Sequence, residues 1–101
     1  MMRTLPLPIA ADHPAYAGHF PGHPILPGVV LLDQAQRVLE HACHTTLTGL
    51  AQAKFLSPCA PGDALQLDYE HSGTALRFEI RCGERRVASG RFTVVATETA
   101  P

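Results

Sequence analysis

The chain is predicted to be an α+β protein, one long central helix wrapped by an antiparallel sheet of five to six strands. Three observations predict it. Only the segment from Pro27 to about Cys43 combines a helical apolar period with a start signal. Beyond it the apolar period drops to two in successive stretches, as half-buried strands require. Short turn signals, Ser72-Gly73 and Gly83-Glu84, separate those stretches and fit antiparallel hairpins.

Taken in order, Leu5-Pro6-Leu7-Pro8-Ile9 alternates apolar residues with proline, which suits an edge strand whose N–H side faces solvent. A loop rich in Pro and Gly follows, from Ala10 to Leu26. The helix opens on Pro27, a residue favoured at the first helical position. Val29-Val30-Leu31-Leu32 are apolar on every side, and Ala35, Val38, Leu39 and Ala42 continue one stripe, so near-complete burial of this helix is expected. Leu47 to Phe55 reads as a strand interrupted by Gly49, and Ser57 to Asp63 as a loop with a turn at Pro61-Gly62-Asp63. Leu65, Leu67 and Tyr69 share one face of the next strand, and Leu76, Phe78 and Ile80 one face of its successor. Val87, Phe92 and Val94 mark a last strand, broken near Ser89-Gly90. A helix laid on such a sheet is the simplest two-layer assembly of these parts. The tail Thr97 to Pro101 is expected to fray.

Composition narrows the function. The 101 residues make a single domain (1–101), with 46% hydrophobic and 17% charged residues, enough for a modest core. A net charge of −1 and no basic run longer than Arg85-Arg86 argue against nucleic acid or an anionic membrane as partner. The longest apolar run, Val29 to Leu32, is far too short to span a bilayer, and Met1-Met2-Arg3-Thr4-Leu5-Pro6 lacks a signal-peptide core, so a soluble cytoplasmic protein is expected. Cys43, Cys59 and Cys82 are odd in number and show no CxxC spacing, which fits packing thiols. His13, His19 and His23 in one loop, and His41, Cys43 and His44 at the helix end, lack the paired spacing of a zinc site.

The run Gly18 to Asp33 carries the chemistry. Pro21, Pro24 and Pro27 fix φ and bias the residues before them to extended geometry, so the loop that holds His19 loses little entropy on ordering. Positioning of this kind is what catalysis asks of a scaffold. An imidazole titrates near neutrality and suits a general base. Asp33 follows fourteen positions later (33 − 19), inside the apolar helix start, where burial would favour the protonated, proton-donating form. A second reading of Asp33 stands beside the first: Arg37 lies four residues on, and the two could form an i,i+4 ion pair.

The string HFPGHPILPGVVLLD (residues 19–33) resembles the active-site loop and helix start of the hotdog-fold 3-hydroxyacyl-acyl carrier protein dehydratases, including accessory members of polyene and polyketide-like pathways. AKFLSPCAPGD (residues 53–63) resembles that family's later strand and its Pro-x-x-Pro-Gly-Asp loop. The resemblance implies dehydration of a (3R)-hydroxyacyl chain on an acyl carrier protein to the trans-2-enoyl product, with no metal or organic cofactor. On it, His19 removes the C2 proton, Asp33 donates to the leaving hydroxyl, and the Gly28 N–H receives the thioester oxygen at the head of the helix. Leu31 and Leu32 would line the acyl tunnel. The family joins two sheets side by side, so a homodimer or a hotdog heterodimer is implied, with histidine and acid supplied by different subunits. The family usually carries Gln where this chain has Arg37. Lys54, Arg77, Arg81, Arg85, Arg86 and Arg91 are either carrier-protein docking charges or a solvated strand face. Two other classes remain open: a hotdog thioesterase in which Asp33 activates water, and a catalytically silent subunit of a heteromeric dehydratase. The order and spacing of histidine and acid favour the dehydratase.

Overall fold

The structure is a computed structural model that describes residues 2–9, 27–60 and 62–94. Its elements are β1 (Arg3–Leu7), α1 (Gly28–Cys43), β2 (Leu47–Phe55), β3 (Leu65–Ser72), β4 (Ala75–Cys82) and β5 (Arg85–Val94). The strands form one antiparallel sheet in the order β1-β3-β4-β5-β2, so the helix sits between the two edge strands in sequence and on one face of the sheet in space. The expected α+β architecture is therefore present, with five strands among the described residues.

Alternation places Leu67 and Tyr69 of β3, Leu76, Phe78 and Ile80 of β4, and Ala88 and Phe92 of β5 against Leu31, Ala35 and Leu39 of α1. Fully burying a side chain of this size is worth about 1.5–3 kcal/mol. The Phe78 and Phe92 rings stack at 4.9 Å across β4 and β5. Both hairpins turn on a glycine with positive φ, Gly73 (61°) and Gly83 (64°), a conformation that costs other residues more. The helix ends where His44 turns left-handed (φ 51°) and its N–H bonds to the Glu40 carbonyl. The Glu40 carboxylate reaches on to the Leu47 N–H at 2.9 Å, which ties the helix end to the start of β2.

Four expectations need correction. The helix is not nearly buried: Leu31, Ala35 and Leu39 are, Val30, Leu32 and Val38 are half-buried, and Val29 is 70% exposed. One sheet covers one stripe of a helix, and the remaining apolar residues would need a further layer. β5 is not broken at Ser89-Gly90 but runs through it. A Cβ at Gly90 would lie 2.3 Å from the Gln52 carbonyl oxygen and 2.8 Å from the Phe78 ring, so this glycine marks a close approach. Gly49 likewise sits inside a continuous β2, beside shifts in register against β5. The first strand runs from Arg3 to Leu7, leaving Pro8 and Ile9 beyond it. The tail Thr97 to Pro101 lies outside the described residues. Among those residues no helix is long and apolar enough to cross a membrane.

Candidate active site

Gly28 is the first residue of α1, after an extended Pro27 that supplies no side-chain cap. Its N–H belongs to the first turn, which has no intrahelical acceptors and carries the positive end of the helix dipole. The glycine is required by packing: a Cβ here would stand 2.5 Å from Cε1 of Phe55. The ring of Phe55, at the end of β2, thus fills the space beside the Cα of Gly28, the residue whose N–H is expected to receive the thioester oxygen. That ring is itself 54% exposed, so the helix start lies under a cover that is open to solvent on its other side.

Asp33 stands five residues further, about 7.5 Å along the axis. It is exposed, and its Oδ2 accepts a hydrogen bond from Arg37 Nε at 2.9 Å. Burial of this carboxyl, as expected from its neighbours, does not occur within one chain, because Val29, Asp33, Arg37 and His41 follow one another at i,i+4 along the uncovered side of α1. Leu31 is turned into the core at 3% exposure, and Leu32 is half-buried at its margin. His19 lies outside the described residues, as do the rest of the loop from Ala10 to Leu26 with His13, Tyr16, Phe20 and His23. Of the predicted site residues, Gly28, Leu31, Leu32 and Asp33 are therefore brought to one end of one helix.

The second motif braces that end. Asp63 Oδ2 accepts the Ala60 N–H at 2.9 Å and Arg85 Nη2 at 3.2 Å, while Arg85 Nη1 donates to the Pro58 carbonyl at 2.7 Å and to Ser57 Oγ at 3.1 Å. Ser57 Oγ donates in turn to the Arg86 carbonyl. Gly62, at φ 89°, meets the backbone demand of the turn, and Pro61 lies outside the described residues. This clamp fixes the chain that leaves Phe55. Burial, reinforced by the Asp63 charge, pushes the Cys59 thiol up to about 11, so it stays protonated and packs, as a structural thiol does. Arg85 is thus a brace. Arg81 pairs with Asp68, and Arg86 with Glu79 at 3.2 Å, whereas Lys54, Arg77 and Arg91 form no ion pair with a described residue. Sequence reasoning missed both the Phe55 cover and the Arg85 brace; an aspartate after Pro-Gly and an arginine just after a tight hairpin were the available signals for the latter.

One helix lying in the curve of an antiparallel sheet, with a polar residue on its early turns, defines the chain as a hotdog-fold protein. Residues 2–91 match the model of the ApeI dehydratase family, and the chain belongs to that family. It is 33% identical over 106 residues to the 3-hydroxyacyl-acyl-carrier-protein dehydratase FabZ of Myxococcus xanthus, covering 89% of this chain and 69% of the relative. It spans about half the length of other curated FabZ relatives, 49% for one from Haemophilus influenzae at 36% identity over 72 residues. Among solved structures, the dehydratase heterocomplex ApeI:P of Xenorhabdus doucetiae superposes with a TM-score of 0.78 at 23% identity, covering 92% of this chain and 86% of that one. At that identity the likeness concerns the fold.

Proposed function

We propose that this protein dehydrates (3R)-hydroxyacyl thioesters carried on an acyl carrier protein to trans-2-enoyl thioesters, in fatty-acid or polyene-type biosynthesis in the cytoplasm. The observation that carries the reading is the exposed carboxylate of Asp33 on the outer side of α1, five residues into a helix whose start has no side-chain cap among the described residues. His19 takes the proton at C2, and the electron pair moves onto the thioester oxygen, where the Gly28 N–H stabilises it. Asp33 gives its proton to the C3 hydroxyl, which leaves as water. Regeneration passes the C2 proton from the imidazole back to the carboxylate through solvent. Leu32 meets the acyl chain at the rim, and Leu31 supports it from the core.

A second subunit completes the site. The exposed residues Val29, Leu50, Phe55 and Leu56 lie at the helix start, on β2, the edge strand that follows it, and just beyond the end of β2, and a hotdog partner joined there covers them. The partner is a second copy or a different hotdog chain. A second reading, in which this chain is a silent or half-site subunit of a heteromeric dehydratase, is favoured by one observation: Asp33 is engaged by Arg37.

The test uses a trans-2-enoyl thioester, whose hydration is the reverse reaction. Loss of enoyl absorbance by the protein alone supports the first reading. Thiol release without that loss replaces it with a thioesterase, and activity that appears only with another hotdog chain replaces it with the half-site subunit.

A further inference from the structure

The sheet face turned away from α1 holds a cluster that the proposed reaction does not use. Four residues face one another across four strands: Gln52 of β2 opposite Arg91 of β5, Arg91 opposite Arg77 of β4, and Arg77 opposite Glu70 of β3. Two residues along, Lys54 lies opposite Ser89, and Ser89 opposite Glu79. Like charges directly opposed on adjacent strands destabilise a sheet. Elsewhere on the long strands the arginines are paired, Arg81 with Asp68, Arg85 with Asp63 and Arg86 with Glu79. Arg91 makes no ion pair or hydrogen bond with a described residue, and Arg77 has only the field of Glu70 one strand over. Gln52, Lys54, Arg77, Ser89 and Arg91 line a shallow cleft of about 650 Å³.

We infer that this cleft binds a compact anion, a phosphate monoester or diphosphate group, between Arg77, Arg91 and Lys54. The three cations span β2 to β4, roughly 10 Å at the usual strand spacing. That is the reach of one or two phosphates gripped by guanidinium forks, whose charge-assisted bonds also remove the repulsion between the arginines. Gln52 and Ser89 add neutral donors within the same two rungs. The borders limit the size of the ligand: Glu70 and Glu79, the latter paired with Arg86, line the cleft beside the cations and confine the cationic surface to these two rungs, the breadth of a small anion. The site lies across the hydrophobic core from Asp33, so it does not depend on the proposed chemistry.

Calorimetric titration of the full chain with pyrophosphate, and separately with inorganic phosphate, at constant ionic strength tests this. Saturable binding is expected, weakened roughly tenfold or more in the Arg77→Gln/Arg91→Gln double variant and unchanged in Arg3→Gln, which removes a cation from the edge strand β1. Tighter binding of pyrophosphate identifies a diphosphate ligand; equal binding identifies a monoester. Absent binding, equal loss in Arg3→Gln, or no loss in the double variant overturns the site. A polyglutamate peptide that binds more tightly than pyrophosphate through the same arginines overturns the compact-anion assignment in favour of an acidic protein surface. Independently, Arg91→Gln alone should raise the thermal midpoint in phosphate-free buffer, and a fall would remove the like-charge argument.

Discussion

Asp68 and Asp33 are each paired with an arginine, in two regions built very differently. Asp68, in the middle of the sheet, receives Arg81 Nε at 2.5 Å, Arg81 Nη2 at 3.1 Å and Thr4 Oγ1 at 2.6 Å, and so joins β1, β3 and β4 with a side chain only 11% exposed. Asp33, on the outer side of α1, has one bond from Arg37, and the two side chains are 59% and 71% exposed. The first carboxylate is held from three sides by elements that would have to separate to release it. The second can be approached by another molecule without disturbing the fold. A buried pair of this kind organises structure, and an open one leaves a carboxyl group free to exchange partners, which is the condition for chemistry.

The sharpest way to break this comparison is to remove the open aspartate and, separately, its proposed partner base. Asp33→Asn and His19→Ala are each expected to lower enoyl-thioester hydration by about 10²–10⁴-fold, the usual contribution of a general acid or base, with an unchanged thermal midpoint. Mixing the two inactive variants should restore part of the activity if each site takes one group from each subunit. Retained activity in Asp33→Asn would remove the carboxyl from the mechanism.

The helix offers the next test, since its two sides should respond in opposite ways. Leu39 is fully buried, and Leu39→Ala is expected to cost about 2–5 kcal/mol in chemical denaturation. Val29, bare in the single chain, should cost within about 0.5 kcal/mol as Val29→Ala in the isolated subunit, and should instead weaken subunit association. A large loss of intrinsic stability at Val29 would mean that the outer side is covered by this chain's own residues.

These differences also show what the sequence could carry. The period-two runs and the single helical stretch starting near Pro27 placed α1 and β2 to β5 closely, because alternation and helical period are local properties of the chain. Gly90 was misjudged because a glycine in a strand marks either a break or a close approach, and the deciding atoms, the Gln52 carbonyl and the Phe78 ring, belong to other strands. The burial of α1 was overestimated for a related reason: Val29 to Leu32 announce that something covers them, without saying whether it is the same chain. The Asp33–Arg37 pair was legible, since i,i+4 spacing is local. The Phe55 ring over Gly28 was not, because it depends on where β2 ends relative to the helix start.

Acid titration separates the two aspartates again, with a smaller effect. Hydrogen bonds from Arg81, with a further one from Thr4, hold the Asp68 carboxyl below the ordinary aspartate range despite its burial. A carboxyl more acidic in the folded than in the unfolded chain contributes its stability above the unfolded value and loses it as pH falls through the lower folded value. Asp68→Asn should therefore cost about 1–3 kcal/mol at neutral pH and flatten the decline of stability below the ordinary aspartate range. An unchanged acid limb, followed by urea denaturation at stepped pH, would show that the three-strand connection adds nothing.

The smallest expected effect falls on Arg37, and it bears most directly on what the open pair is for. An exposed i,i+4 pair contributes about 0.3–0.5 kcal/mol, so Arg37→Gln should barely move the denaturation midpoint. Its effect on turnover has a definite sign under the proposed mechanism. Asp33 must reach the leaving hydroxyl, and the Arg37 guanidinium at 2.9 Å occupies the carboxyl oxygen that would do so. Replacing it with a neutral amide, the residue that the resemblance to hotdog dehydratases leads one to expect there, should leave hydration unchanged or raise it. A large loss in Arg37→Gln, with the fold intact and activity restored in Arg37→Lys, would show instead that the cation itself acts on the substrate. The pair would then belong to the site as a unit, and the contrast with Asp68 would lie in what the two arginines do and no longer in how exposed they are.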